Sequence, residues 1–267
     1  MLTISKYQEL FEFINAFQKK KLNLLIIVSR GGLGKTFITE EALMEQAPLT
    51  ITGHVTPLKL YREVLTRTEV EKDFILVFDD VDALLTNKDL IALLKQICDT
   101  RDEKIIKYFT SSPILKDTPS EFETSCKVIM LMNSLRVEDP NIKALMSRAH
   151  LLDFRPPDTE ILNNLKSWAD DENILKFIER FAPFSKTLNL RVYKRAEELK
   201  DSGLDWKQEI INILEIDSRL FEISDLLKKY STDKEREEHF SASRPSYYRF
   251  KKLFLLKNPE YTKKNQT

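Results

Sequence analysis

Glycine is rare in this chain, five residues in 267, and three of the five fall within four positions, at Gly31, Gly32 and Gly34. Glycine that is scarce and clustered marks a backbone turn that other residues resist. The cluster belongs to the run Ser29, Arg30, Gly31, Gly32, Leu33, Gly34, Lys35, Thr36. An almost wholly apolar stretch, residues 22–28, precedes it, and residues 35–45, with helical spacing, follow. Strand, glycine-rich turn and helix in that order make an anion cradle. Backbone N–H groups turn inward and the helix N-terminus faces the charge. Lys35 adds a point charge, and the Thr36 hydroxyl is a ligand for a divalent cation.

The run follows the P-loop pattern GxxxxGK[ST], with Ser29 where the first glycine normally stands. It predicts ATP with Mg²⁺ as the ligand. Ser29, Arg30, Gly31, Gly32, Leu33, Gly34, Lys35, Thr36 and Phe37 are expected around the phosphates. Residues 74–80, Phe-Ile-Leu-Val-Phe-Asp-Asp, supply a second half: an apolar strand that ends in two acids. In an open α/β sheet, ligands lie beyond the carboxyl ends of the strands. Asp79 is therefore expected to hold Mg²⁺ together with Thr36, and Asp80 to orient the attacking water.

Further strands are expected at 48–53, 105–109, 128–132 and 151–154, and helices at 3–19, 57–65 and 82–98. Strands alternating with helices define an α/β fold with a parallel sheet. After residue 157 the strands stop, and helices are expected at 161–168, 174–181, 190–199 and 206–216. The predicted organisation is a P-loop base domain at 1–156, a helical lid at 157–203 and a small helical module at 204–267.

Glycine loop and acidic strand, in this order, resemble the AAA+ ATPases, and the resemblance runs through most of the first 200 residues. Val-Ile-Met-Leu-Met-Asn-Ser, residues 128–134, is similar to the sensor-1 strand, with Asn133 as the polar residue that places the water. Thr110, which also ends an apolar strand, is a second candidate for that role. Residues 144–158 are similar to the arginine-finger region, which implies that Arg148 reaches the γ-phosphate bound to a neighbouring copy. Leu-Asn-Leu-Arg-Val-Tyr-Lys-Arg-Ala, residues 188–196, is similar to the sensor-2 helix, with Arg191 touching nucleotide. The resemblance implies a homo-oligomer and hydrolysis that depends on assembly. Simpler roles stay open: Asn133 as a helix cap, Arg148 and Arg191 as surface ion pairs. Asp80 also departs from the family, in which many members carry Glu there. Its carboxylate sits one methylene further back, so binding is better supported than turnover.

Two segments point to DNA. Residues 104–125 resemble the pre-sensor hairpin of helicase-like branches, with Lys104, Lys107 and Lys116 facing phosphates. An ordinary surface hairpin is the alternative. Residues 233–256 resemble a helix-turn-helix, with Ser243, Arg244, Ser246, Tyr247, Arg249 and Lys252 toward DNA and Tyr248, Phe250, Leu253 and Phe254 packed inward. One of the two tyrosines can exchange roles, and a basic helix docking on the lid or a partner is the alternative. The formal net charge is zero, so only the distribution of charge, not its total, argues for nucleic acid.

Cys98 and Cys126 stand apart with no CxxC, and His54, His150 and His239 are scattered. Neither a disulfide framework nor a zinc site is expected, and a cytoplasmic location follows. No early apolar run is long enough to span a membrane. The expected function is ATP-dependent work on DNA as an oligomer: a helicase, an initiator or a helicase loader, with a replication protein as a possible partner. The competing expectation is an ATP-dependent assembly switch or remodeller that acts on a protein and hydrolyses slowly.

Overall fold

A computed structural model describes residues 1–19, 22–80, 85, 87–109, 118–135 and 140–263. The chain divides into two compact units, Met1–Pro157 and Asp158–Thr267.

The first unit begins with β1 (Leu2–Ile4) and α1 (Tyr7–Gln18), followed by β2 (Leu24–Val28) and α2 (Lys35–Ala42). Next come β3 (Leu49–Thr52), α3 (Pro57–Val70), β4 (Ile75–Asp79) and α4 (Lys88–Ile97). The hairpin strands β5 (Lys104–Lys107) and β6 (Glu121–Thr124) lead to β7 (Lys127–Met132), α5 (Pro140–Met146) and β8 (His150–Phe154). Six strands form one parallel sheet in the order β1-β8-β2-β7-β4-β3. Helices link successive parallel strands, and this confirms the expected α/β parallel-sheet fold.

The central strands explain why they were legible. Leu24 through Ile27, Leu76 through Phe78 and Val128 through Met132 are all buried. A strand covered on both faces needs apolar residues at every position, so it shows as a continuous run.

Three expectations for this unit change. Residues 2–4 form a strand instead of the start of the first helix. They pair in parallel with β8, Leu2 opposite Leu152 and Ile4 opposite Phe154. The helix starts only at Tyr7, because the Glu9 carboxylate accepts the N–H groups of Ser5 and Lys6 at 3.0 and 3.1 Å and so caps the chain there. The expected hairpin is present, β5 antiparallel to β6, but Lys104 does not face outward. Alternation along β5 turns Lys104 and Ile106 inward, leaving Lys104 1% exposed with its Nζ donating to the Cys126 carbonyl. The fourth helix begins at Lys88, where the Asn87 side chain caps it by accepting from Asp89 and Leu90. Cys98 and Cys126 are free and buried, and burial pushes the Cys98 thiol up to about 12.

The second unit is helical: α6 (Asp158–Trp168), α7 (Glu172–Phe181), α8 (Arg191–Asp201), α9 (Trp206–Ile213), α10 (Ser218–Lys229), α11 (Asp233–Glu238), α12 (Arg244–Lys257) and α13 (Glu260–Lys263). The separate helix α10 was not expected. Asp217 caps it, accepting from Arg219 N–H at 3.0 Å. One aromatic cluster ties the helices of this unit together. The ring centroid of Phe177 lies 5.4 Å from Trp206 and 5.8 Å from Phe221, and that of Phe181 lies 6.1 Å from Phe221 and from Phe254. Phe184 stacks on Phe254 at 5.9 Å. Residues from both sides of position 203 thus share one core.

Candidate nucleotide site

Loop 29–34 leaves the carboxyl end of β2, which lies in the sheet between β7 and β8. The Ser29 N–H donates to the Met132 carbonyl at 3.1 Å, which ties the loop's start to the end of β7. Gly32 and Gly34 take φ of +78° and +80°, left-handed values that residues with a Cβ resist. Gly34 is the N-cap of α2 and has no side chain to offer the helix. The first N–H groups of α2 therefore have no side-chain cap, the arrangement an anion-binding helix N-terminus needs. Ser29 is buried at 4%, and its hydroxyl donates to the Arg30 carbonyl at 3.2 Å. It completes the loop without glycine.

Two short chains of bonds define the site. The Lys35 ammonium, 7% exposed, donates to the Ser29 carbonyl at 2.8 Å and to Asn133 Oδ1 at 3.1 Å. Asn133 Nδ2 in turn donates to Asp80 Oδ1 at 2.9 Å. The Thr36 hydroxyl donates to Asp79 Oδ2 at 2.8 Å. Lys35, Thr36, Asp79, Asp80 and Asn133 come from three separate stretches of sequence and meet at one sheet edge. The register explains this: Asp79 lies opposite Leu131, so β4 and β7 end together.

Asp80 has φ of +54°. Asp and Asn tolerate this left-handed backbone better than most side chains because their short polar groups bond locally. The backbone thus favours aspartate where a longer glutamate was the family expectation.

The residues fit Mg²⁺. A hydroxyl and a carboxylate, both hard oxygen donors, stand 2.8 Å apart beside an anion cradle. Among the described residues no group of three or more His, Cys, Asp and Glu forms a metal cluster, so a cation here would draw the rest of its shell from water and phosphate.

Phe37 is 62% exposed on α2, while Leu33 is buried and Arg30 exposed. Arg148 is half-buried, and its Nη1 donates to the Lys95 carbonyl at 2.8 Å, in the last turn of α4. Arg191 is exposed at the start of α8 in the second unit, its N–H bonded to Asn189 Oδ1 at 3.0 Å. Thr110 and Lys116 lie outside the described residues.

The expected DNA face is largely engaged within the protein. Tyr247 is 1% exposed and its hydroxyl donates to Asp233 at 2.9 Å, which corrects its assignment to DNA. Tyr247, Phe250 and Phe254 share the buried stripe of α12, and Tyr248 and Leu253 are exposed at 41% and 39%. The Tyr-Tyr pair allowed either phase: Tyr247 lies on the buried stripe with Phe250 and Phe254, its ring 5.7 Å from Phe240, while the exposed Tyr248 donates its hydroxyl to Glu237. Arg244 pairs with Glu237 at 3.0 Å and Lys107 with Glu121 at 2.9 Å. Arg249 lies 4.9 Å over the Phe250 ring, and Lys252 is exposed.

Sequence alone hid several participants. The Ser29 carbonyl that holds Lys35 and the Lys95 carbonyl that holds Arg148 are backbone groups with no side-chain signature. Sheet order and loop geometry together define an α/β fold of the P-loop class. No protein-family model matches the chain, and no curated protein matches it. Among solved structures it is similar to a chain in the HORMA:CdnC:Trip13 complex of E. coli MS115-1, with 13% identity, 78% of this chain and 86% of that chain covered, and a TM-score of 0.45. It is also similar to PCH-2 of C. elegans, with 14% identity, 78% and 67% covered, and a TM-score of 0.45.

Proposed function

We propose that this chain is an ATPase of the AAA+ type that binds ATP with Mg²⁺, assembles with copies of itself, and acts as a slow switch or remodeller on a protein partner. The Lys35–Asn133–Asp80 chain beside the Thr36–Asp79 pair carries the reading. It gathers an ammonium, a hydroxyl–carboxylate pair and a second carboxylate at one edge, which supports phosphate binding, cation binding and water orientation there. Magnesium bound with the triphosphate supplies charge neutralisation on the phosphate oxygens. The loop N–H groups and Lys35 hold the outer phosphates. Asp80, held by Asn133, orients water for attack in line with the leaving oxygen. Arg148 then supplies positive charge to a neighbour's site once it exchanges the Lys95 carbonyl for phosphate.

A protein partner is favoured over DNA because three of the five described cations chosen for DNA have partners within the chain. Lys104 is buried, and Arg244 and Lys107 are ion-paired. Among the described residues, no helix is long and apolar enough to cross a membrane. The test combines phosphate release, with and without single-stranded and duplex DNA, with light scattering to follow assembly. ATP-driven assembly, slow turnover indifferent to DNA, and loss of turnover but not ATP binding in Arg148→Ala are expected. Stimulation of turnover by DNA would restore the DNA-directed reading. Full turnover by a monomer would remove the shared site.

A further inference from the structure

The second unit contains a cleft of about 950 Å³ bounded by α7, the end of α10, the end of α12 and α13. Its size is that of a site for a small ligand or a few residues of peptide. Four cations line it: Lys176 and Arg180, one turn apart on α7, Lys228 on α10 and Lys257 on α12. Two acids line it as well, Glu179 and Glu260.

The existing pairings leave an excess of positive charge. Glu179 is held by Lys166 at 2.5 Å, and Lys176 is held by Glu172 at 2.5 Å. Lys228 pairs with Asp225 at 3.6 Å, its one ion pair among the described residues. Lys257 has no ion-pair partner among the described residues. Arg180, Lys228 and Lys257 therefore converge on one cleft against one acid, Glu260, with no ion pair among the described residues. Arg180 also lies 5.2 Å over the Tyr261 ring, and Leu227 adds apolar surface beside it. Desolvation, then the nearby charges of Arg180 and Lys207, hold the Lys228 amine below its ordinary range. Like charges held this close to one another favour an anion that would sit between them.

We propose that this cleft binds a carboxylate-bearing, partly apolar segment of a protein partner. The choice of a peptide occupant rests on the protein-directed reading given above. Charge and shape favour it over nucleic acid. The cleft is short and walled by Glu179 and Glu260, whereas a phosphate backbone needs an unbroken positive track. Leu227 suits an apolar side chain next to the acids, and the cations give specificity through their geometry.

The test uses the full chain without nucleotide, in low salt, and measures anisotropy of a fluorescein-labelled peptide rich in glutamate with one leucine and one phenylalanine. Saturable binding is expected. The double variant Arg180→Gln/Lys228→Gln should weaken it by at least about tenfold. Arg180→Lys/Lys228→Arg, which keeps the charge, should stay within about threefold of the parent, and so should Lys234→Gln, a neutralised exposed lysine elsewhere in the unit. Absence of saturable binding overturns the proposal, as does an equal loss in Lys234→Gln. Displacement of the peptide by inorganic phosphate or by an oligonucleotide at lower concentration than by unlabelled peptide also overturns it, because the site would then select phosphate. Binding of a fluorescent ATP analogue, measured on the same variants, reports the P-loop separately. Failure at the cleft is thereby distinguishable from failure of the ATPase reading.

Discussion

Asn133 bonds to both Lys35 and Asp80, so its replacement tests how the site works. Its amide orientation follows from its partners. Lysine only donates, so Oδ1 must face Lys35, and a carboxylate only accepts, so Nδ2 must face Asp80. Asn133→Ala removes two bonds to charged groups. Buried bonds of this kind contribute about 1.5–3 kcal/mol each. Asn133 is exposed, so together they are expected to raise the barrier by about 1.5–3 kcal/mol, or roughly 10- to 100-fold in kcat. ATP affinity should change by less than about threefold, since Lys35 keeps the Ser29 carbonyl at 2.8 Å and the cradle is intact. Asn133→Asp is the sharper test. It keeps an acceptor for Lys35, loses the donor, and sets a like charge against Asp80, so its turnover should be no better than that of Asn133→Ala. Phosphate release at saturating ATP, beside fluorescent-nucleotide binding, measures both. A kcat within twofold of the parent in Asn133→Ala, or an Asn133→Asp variant more active than Asn133→Ala, would refute the proposed positioning of Asp80.

Other outcomes follow from the same structure. Thr36→Val removes the hydroxyl that donates to Asp79 and should lower ATP affinity at least about tenfold with Mg²⁺ but little without it, as titration calorimetry in both conditions would show. Asp80→Glu puts a side chain without local tolerance at φ of +54° and should cost about 1 kcal/mol in thermal unfolding, whereas Asp80→Asn should keep stability and lose turnover. Asp171 accepts from Lys200 and caps α7 through the N–H groups of Asn173 and Ile174, and the Lys200 bond leads the causes that hold its pKa below the ordinary 3.8. A depressed carboxylate stabilises above its unfolded pKa and loses that stability as pH falls through the folded value. Asp171→Ala should therefore cost about 1 kcal/mol near neutrality, and the charge-dependent part of that difference should begin to shrink as pH falls below 3.8 toward the lower folded value, in melts over a pH series. Phe181→Ala, at a fully buried position, should destabilise the second unit by about 3–5 kcal/mol in urea, and Phe254→Ala comparably, because both rings belong to one cluster.

The arginine at position 148 illustrates how one residue can satisfy two descriptions. Within the chain it closes α4 by donating to a last-turn carbonyl, an ordinary fate for arginine near a helix end. Its proposed work for a neighbour requires that bond to be released. Assembly would then couple to a change at the end of α4, and Arg148→Lys, with a single ammonium in place of the forked guanidinium, is a poor substitute in either role.

By itself the sequence determined the parallel sheet and the glycine-rich loop. Strands buried on both faces must be apolar throughout, so the cores of β2, β4 and β7 are written as uninterrupted runs. The loop needs glycine at two left-handed positions, a requirement within a few residues of chain. The acids after β4 and the asparagine after β7 were legible because strand ends are local features. Tertiary structure decided everything that depended on a distant partner. Residues 2–4 are a strand only because β8 offers an edge. Lys104 is inward because β5 pairs in one register with β6. Tyr247, not Tyr248, is buried because Phe240 packs against its side of the helix. Three cations from three helices meet in one cleft because a helix pattern fixes which residues share a face, and only packing fixes which faces meet.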